Sequence, residues 1–474
     1  MTLIIASVHG EVPNELNGAD LLEIRIDGLS PNQVAEQLPT LLENSPIPTI
    51  VTCRSAREGG VFEGEEDERV AMYLVALRCE HPPKYIDVEY ETLSHHPLML
   101  DTLASENTGV ILSWHDVKSR PKDLLQRARM MQDVAGVDVV KMVWRARSIR
   151  DNIEAFELLK SKQQPMIALC MGEYGTMSRV LARKFGGFAT YASIDGTPST
   201  APGQIHVKQL HSTYNIHSIN KETKVYGVIG NNVAHSASPA FHNSVFQITN
   251  KNAVYIPLQV PEGWEHLKAS FEELRNYSSL HFAGASITIP HKEMTMKLAT
   301  TIDATCKRAG ATNTITVEVD NVFAANTDVI ALAELVQKSN DALVLGTGGV
   351  ARAAIVALQQ EGAKVSIVGR NVKKTKELAK EFSCSVVQDG DVSFDTIINC
   401  TPVGMQSGND PNGNPLTQLA PLVSLGQGVH VIDTVYVPEK TPLLLNAIEC
   451  GCRTSTGSEM FRLQATAQQQ IWNE

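Results

Sequence analysis

The sequence predicts an α/β protein in two successive halves. The first is a (β/α)8 barrel over residues 1–212; the second is a two-part α/β unit from residue 225 onward that contains a Rossmann-type nucleotide-binding domain. Three observations predict this. The first 212 residues repeat a strand-then-helix rhythm about eight times, as a compact barrel requires. A strand at 342–345 runs directly into Gly346-Thr347-Gly348-Gly349-Val350-Ala351 and then a helix. And 474 residues are too many for one hydrophobic core.

In order, apolar runs at 3–8, 21–26, 48–53, 85–88, 110–113, 139–143, 166–170 and 188–192 read as the barrel strands, with helical spacing between them, as at 122–134 and 149–162. An open doubly wound sheet is the competing arrangement. The strand ends carry charge: Glu23-Ile24-Arg25-Ile26-Asp27, Arg54 running into Glu58-Gly59-Gly60, Asp87 and Glu89, Trp114-His115-Asp116, Lys141, and Ser178-Arg179 after strand seven. Charged groups at successive carboxyl ends of barrel strands converge on one site. They would be hard to bury unless they satisfied one another around a polar ligand. Strand six is the sharpest case, with Lys141 inside Val139-Val140-Lys141-Met142-Val143-Trp144. Burial disfavours a charged amine, and a neutral amine attacks carbonyl carbon to give a Schiff base. The alternative for the isolated strand is a lysine whose stem is buried and whose head reaches water.

The remaining residues bound the function. A formal charge of −11 argues against a general nucleic-acid or anionic-membrane partner, while leaving room for a local cationic site for a small anion. Eight scattered cysteines without a C-x-x-C pair read as reduced thiols, hence a cytoplasmic chain. The start of the sequence reads as a strand rather than a signal or transit leader, and no apolar run is long enough to span a membrane. His206, His211 and His217 lack cysteine or carboxylate at ligand spacing, so no metal is expected, and residues 213–224 read as a polar linker.

The barrel motifs resemble type I 3-dehydroquinate dehydratase, the Schiff-base class. They are Glu23-x-Arg25-x-Asp27, Thr52-Cys53-Arg54 with Glu58-Gly59-Gly60, Ser113-Trp114-His115-Asp116, Val140-Lys141, Met171-Gly172 with Ser178-Arg179, and Ala201-Pro202-Gly203-Gln204. The resemblance implies that Lys141 forms the imine and that His115, with Glu58 beside it, moves the proton. It also implies that Arg179 holds the substrate carboxylate, while Glu23, Arg25, Arg54 and Gln204 hold its hydroxyls. Thr200 stands where the family usually has serine, which keeps the hydroxyl and adds a methyl.

In the second half the small residues Gly346, Gly348 and Ala351 fit a dinucleotide loop whose helix N-terminus faces a pyrophosphate. The next strand, 364–368, ends in Gly369-Arg370-Asn371 with Lys373 and Lys374 beyond, where an NAD enzyme would place an acid. Basic residues there favour NADP(H) through its 2′-phosphate; a solvated helix face is the alternative for the two lysines. The half also carries Ser236-Ala237-Ser238-Pro239, Ser286 to Lys292, Gly310-Ala311-Thr312-Asn313-Thr314, Asn326-Thr327-Asp328, Asn399-Cys400-Thr401-Pro402 and Asp433…Tyr436…Thr441-Pro442-Leu443. Together these resemble shikimate dehydrogenase. The resemblance implies a catalytic Lys292–Asp328 pair, with Ser236 and Ser238 on the substrate carboxylate and Thr288, Asn313, Tyr436 and Gln464 around the ring. It implies a cofactor site of Gly346, Gly348, Gly349, Arg370, Asn371, Lys374 and Thr401.

The domains expected are 1–212, a linker at 213–224, 225–328 completed by a terminal helix at 456–474, and 329–455. The expected function is two consecutive reactions: dehydration of 3-dehydroquinate to 3-dehydroshikimate, then reduction with NADPH to shikimate. Two rivals stay open, a catalytically dead regulator and a class I aldolase. Oxidation of quinate by the second half is a further variant.

Overall fold

In the computed structural model, residues 2–104, 107–195, 201, 203–336, 338–387 and 393–473 are described. Thr200 and Pro202 lie outside them. The chain forms two compact units. One comprises Met1–Val228, Asn232–Val260 and Ala269–Phe282; the other comprises Ile229–Asn231, Pro261–Lys268 and Ala283–Glu474.

The first unit opens with eight parallel strands: β1 (Leu3–His9), β2 (Leu21–Arg25), β3 (Thr49–Thr52), β4 (Tyr85–Glu89), β5 (Gly109–Asp116), β6 (Val139–Arg145), β7 (Met166–Met171) and β8 (Ala189–Ser193). They are ordered β7-β6-β5-β4-β3-β2-β1-β8, with a short ninth strand, β9 (Ile205–His206), beside β8. The ring closes where Phe188 N–H, just before β8, donates to Met166 O at the start of β7, at 2.8 Å. The strands are largely apolar because both faces are covered, by helices outside and by the barrel core inside. A cluster including Ile5, Leu21, Ile50, Ile111, Val139 and Ala189 fills the barrel interior. Two residues further along the same strands stand Ser7, Glu23, Thr52, Ser113, Lys141 and Tyr191. Side chains two apart share a face, so these polar groups form the next layer towards the carboxyl ends.

Local signals match the elements. Helix Pro31–Glu43 starts from Ser30, whose side chain and that of Gln33 cap each other's backbone, with proline in the first turn. The stretch after the barrel is less loose than its polar composition suggests. It holds helix Val207–Ser212 and a short turn of helix at Ile216–Ser218. Tyr214, Ile216 and Ile219 are buried, and Lys184 Nζ donates to the carbonyls of Lys221 and Thr223 at 2.7 and 2.8 Å. Apolar residues interleaved among the polar ones account for the difference from the expected solvated linker. Beyond it run β10 (Lys224–Gly230) and β11 (Ala253–Gln259), and helix Ser238–Ile248 pins itself to β11 through Asn243, which bonds both N–H and C=O of Tyr255 at 2.8 Å.

In the second unit β12 (Phe282–Ile287), β14 (Thr314–Val317) and β15 (Val322–Ala325) pair antiparallel, and β13 (Thr301–Ile302) pairs parallel with β15. A second, all-parallel sheet follows: β16 (Asp341–Leu345), β17 (Lys364–Val368), β18 (Ser385–Val386), β19 (Thr396–Asn399), β20 (His430–Asp433) and β21 (Arg453–Ser455). Its order is β18-β17-β16-β19-β20-β21, and the order reverses next to β16, where a doubly wound sheet opens its ligand crevice. The last helix, Gly457–Asn473, returns to the 313–328 region. Gln468 Nε2 donates to Asn313 O and Thr314 Oγ1 at 3.0 Å, and Trp472 Nε1 donates to Ile315 O at 3.1 Å. Among the described residues no helix is long and apolar enough to cross a membrane.

Candidate active sites

The polar layer of the barrel forms a single cavity lined by Glu23, Arg25, Arg54, Glu58, His115, Lys141, Arg179, Tyr191 and Gln204. Lys141 is only 4 % exposed, so its head does not reach water. Its Nζ lies 2.9 Å from Asp87 Oδ2, 2.9 Å from the Tyr191 hydroxyl and 3.6 Å from Glu23 Oε1. His115 stands on the neighbouring strand, with Nδ1 2.8 Å from Glu58 Oε2. Glu58 reaches it from a helical turn, Ala56–Glu58, closed by Gly59 at φ 86°, a left-handed conformation that glycine adopts without strain. Arg25 and Asp27 form a two-bonded pair at 2.7 and 2.8 Å.

Arg54 is the hub. Its guanidinium meets Asp87 at 2.7 Å, Ser113 at 2.8 Å, Glu89 at 3.2 Å and Glu58 at 3.3 Å. Burial would raise the Asp87 carboxyl, but Arg54 and Lys141 outweigh it and hold it well below the ordinary carboxylate range. Glu58 goes the other way: burial and then the Glu89 charge push its carboxyl up. Burial, Arg54 and Lys141 together hold the His115 imidazole well below its usual value, so it stays neutral near pH 7. Arg179 has no carboxylate partner among the described residues. It is 2 % exposed; its Nη1 donates to Tyr191 O at 3.3 Å and its Nε has no partner among the described residues. Burial pushes it down to about 10. A buried guanidinium without a counter-charge is costly, and an incoming anion relieves that cost.

A second centre lies in the other unit. Lys292 Nζ and Asp328 Oδ2 are 2.5 Å apart, both largely buried. Asn326 caps the helix Thr327–Leu335 by accepting from Asp328 N–H at 3.1 Å, which fixes the aspartate in the first turn. Asn313 Nδ2 donates to Asp328 Oδ1 at 2.9 Å and to Gln464 Oε1 at 3.3 Å, so the last helix reaches the pair. Thr288 follows β12, its N–H on Ile229 O at 2.9 Å, and Tyr436 stacks on Phe461 of the last helix at 5.6 Å. Ser236 and Ser238 belong to the first unit, where Ser236 Oγ accepts from Ser238 N–H at 3.2 Å.

Beside this pair the glycine loop is shaped for close approach. A side chain at Gly349 would meet Lys292 Cβ at 3.0 Å, whereas Gly348 faces open space. Helix Gly349–Gln360 begins there without a side-chain cap, leaving its first N–H groups for a ligand. At the end of β17, Arg370 and Lys374 are exposed, and Asn371 Oδ1 accepts from Lys374 N–H at 3.0 Å. Thr401 Oγ1 donates to Asn399 Oδ1 at 2.8 Å beyond β19. Open glycine backbone, a free helix N-terminus and exposed cations fit a dinucleotide phosphate chain.

Comparison with known proteins separates these two centres by family. A family model for Type I 3-dehydroquinase matches residues 10–221. Models for the Shikimate dehydrogenase substrate binding domain and for Shikimate / quinate 5-dehydrogenase match 228–315 and 330–399. The chloroplastic bifunctional 3-dehydroquinate dehydratase/shikimate dehydrogenase of Arabidopsis thaliana is 36% identical over 96% of this chain and 78% of its own length. The chain belongs to this bifunctional family. It carries both enzyme activities, a 3-dehydroquinate dehydratase and a shikimate dehydrogenase, and so serves two steps of the shikimate pathway. The Shikimate dehydrogenase (NADP(+)) of Syntrophobacter fumaroxidans is 35% identical over 53% of this chain and 87% of its own. A shikimate dehydrogenase structure from Aquifex aeolicus shares 33% identity over 54% of this chain and 94% of its own, with a TM-score of 0.48.

The dehydratase cavity holds more than the motifs indicate. Tyr191 touches Lys141 and has no motif to mark it. Asp87 and Glu89 stand out in the sequence as strand-four acids but carry no evident role there. Tyr191 could have been found by its place two residues after the inward-facing Ala189, at the level of the other polar residues.

Proposed function

We propose that the barrel dehydrates 3-dehydroquinate through a Lys141 Schiff base and that the second half reduces 3-dehydroshikimate to shikimate with NADPH. One observation carries the first part: a buried lysine amine, a neutral histidine and a buried arginine with no counter-charge among the described residues line the same cavity. Asp87 and Tyr191 orient Nζ. The Lys141 ammonium gives up a proton, the free amine adds to the substrate ketone, and the oxygen leaves as water with that proton, which leaves an iminium. That electron sink acidifies the adjacent C–H, and His115 removes the proton through Nε2 while one proton stays on the line between Nδ1 and Glu58. The same proton then goes to the β-hydroxyl, which leaves as water; hydrolysis of the imine frees Lys141. Proton transfer by a placed histidine contributes roughly 10²–10⁴ in rate. Arg179 takes the substrate carboxylate, and Glu23, Arg25, Arg54, Thr200 and Gln204 take its hydroxyls.

In the second half Lys292 delivers a proton to the carbonyl oxygen as it gains negative charge, and Asp328, itself held by Asn313, keeps the ammonium in place. Thr288, Asn313, Tyr436 and Gln464 face the ring. NADPH, when bound, supplies the hydride. Gly346, Gly348 and Gly349 would cradle its pyrophosphate and Arg370, Asn371 and Lys374 its 2′-phosphate, with Thr401 in the same cofactor site. We assign residues 1–212 to the dehydratase, 213–224 to the joint, 225–328 with 456–474 to substrate binding and 329–455 to the cofactor.

The test uses purified protein with 3-dehydroquinate, with and without NADPH. Enone absorbance, NADPH consumption and a borohydride adduct mapped by mass to Lys141 are expected. Enone formation without any adduct on Lys141 would sink the imine mechanism.

A further inference from the structure

Arg69 lies outside the cavity, on helix Glu66–Leu77 packed against the barrel wall, and is 1 % exposed. No motif marks it. Its Nη1 donates to Glu89 Oε2 at 2.8 Å and its Nη2 to Glu66 Oε2 at 2.5 Å, with Thr92 as a further partner of Nη2. A fully buried arginine on an outer helix is an expensive way to hold that helix down, because apolar side chains do so without desolvating a charge. Its principal partner shows what the charge does instead.

The two oxygens of Glu89 face different partners. Oε2 meets Arg69. Oε1 accepts from Ser55 N–H at 2.8 Å and from Arg54 Nη1 at 3.2 Å. Both of those contacts lead to Glu58. Ser55 begins the turn that carries Glu58, and Arg54 Nη1 donates to Glu58 Oε2, the same oxygen that meets His115. The turn leaves no slack: a Cβ on Gly60 would collide with the Arg54 carbonyl oxygen. A shift of Glu89 therefore moves Glu58 against the imidazole. Burial favours a protonated, weakly held Glu89, while Arg54 and Arg69 keep its carboxyl below the ordinary value.

We propose that Arg69 is a positioning residue of the dehydratase, acting through Glu89 and the Ser55–Arg54 contacts to set Glu58 on His115. This rests on the reading of Glu58 and His115 as the proton-moving pair. The chemistry of Arg69 suits that role, because a rigid fork grips Glu89 from one side while the other carboxylate oxygen stays free for the turn.

The experiment uses the full chain and compares R69Q, E58Q, the double variant and R69K, with dehydrogenase activity in each preparation as the internal check on folding. R69Q is expected to lower dehydratase kcat about tenfold to a hundredfold, the cost of a misplaced catalytic group, with KM changed by less than about threefold. Borohydride trapping on Lys141 persists. In the E58Q background R69Q is expected to cost less than about twofold more, because residues acting through one group are not additive. R69K, which keeps the charge but not the fork, recovers part of kcat. The inference is overturned if R69Q has wild-type kcat, or if its loss multiplies with that of E58Q, as a purely structural role would give. If R69Q does not fold, the same two comparisons are made with R69K, and wild-type kcat in R69K overturns it. E58Q with wild-type kcat would instead refute the reading of the pair itself.

Discussion

Asp87 and Lys141 form the buried ion pair at the centre of the dehydratase, with Oδ2 2.9 Å from Nζ on strands β4 and β6. Asp87 Oδ1 is simultaneously 2.7 Å from Arg54 Nη2, so one carboxylate balances two buried cations. Removing it leaves both with less compensation, which typically costs about 3–5 kcal/mol. D87N is therefore expected to lower the temperature at which dehydratase activity is irreversibly lost, followed by heating and residual enone formation. The Asp87 carboxyl is held low in the fold, so its stabilisation is present above the unfolded pKa of about 4 and lost as pH falls below it. D87N should remove that part of the acid sensitivity; an unchanged acid melting curve would contradict it.

Lys141→Ala is expected to abolish enone formation and the borohydride adduct while shikimate oxidation with NADP continues at the wild-type rate. Equal loss of both activities in folded protein would show that the two centres are not independent.

The proposed role of Glu58 and His115 as the proton-moving pair predicts a signed pH effect. On that proposal the active form has lost the proton that leaves His115 Nε2 free, so dehydratase kcat is expected to rise with pH through the pair's apparent pKa. Glu89 is the first charged cause that raises Glu58, after burial. Glu89→Gln removes that negative neighbour and leaves Arg54 and Arg69 unbalanced, so the acidic limb of the kcat profile should move to lower pH. A limb moved to higher pH would contradict the assignment.

For the dehydrogenase, Lys292→Met is expected to lower kcat by roughly 10²–10⁴, the range for loss of a placed acid, and to leave the dehydratase unaffected. Stopped-flow NADPH oxidation measures it. A loss confined to KM would make Lys292 a substrate-binding group.

The double variant R370Q/K374Q is expected to raise KM for NADPH by about tenfold or more, since charge-assisted hydrogen bonds are each worth about 1.5–3 kcal/mol, with little change for NADH. Equal loss with both cofactors would place these residues away from the 2′-phosphate.

Much of this molecule is legible in the chain. Alternating apolar runs and helical spacing indicate the barrel, and Gly346 to Ala351 between a strand and a helix indicates the nucleotide domain, because such patterns are set by neighbours in sequence. The motif around Lys141 and the one around Lys292 are equally local. The burial of Tyr214, Ile216 and Ile219 in the polar stretch after residue 211 is not legible from its average polarity, because each finds its buried place singly.

The order of residues alone thus specifies the fold class, and it singles out Lys141 and Lys292 as candidates with the residue types around them. Which groups meet is settled only in three dimensions. Strand register brings Asp87 and Tyr191 onto Lys141 from β4 and β8, and the turn after β3 brings Glu58 onto His115. The return of the last helix joins Gln464 to Asn313 across 151 residues. The outer helix brings Arg69 to Glu89. The physical reason is distance along the chain: periodicity and caps act over a few residues, whereas these contacts exist only once a closed barrel and a packed terminal helix have fixed the elements that carry them.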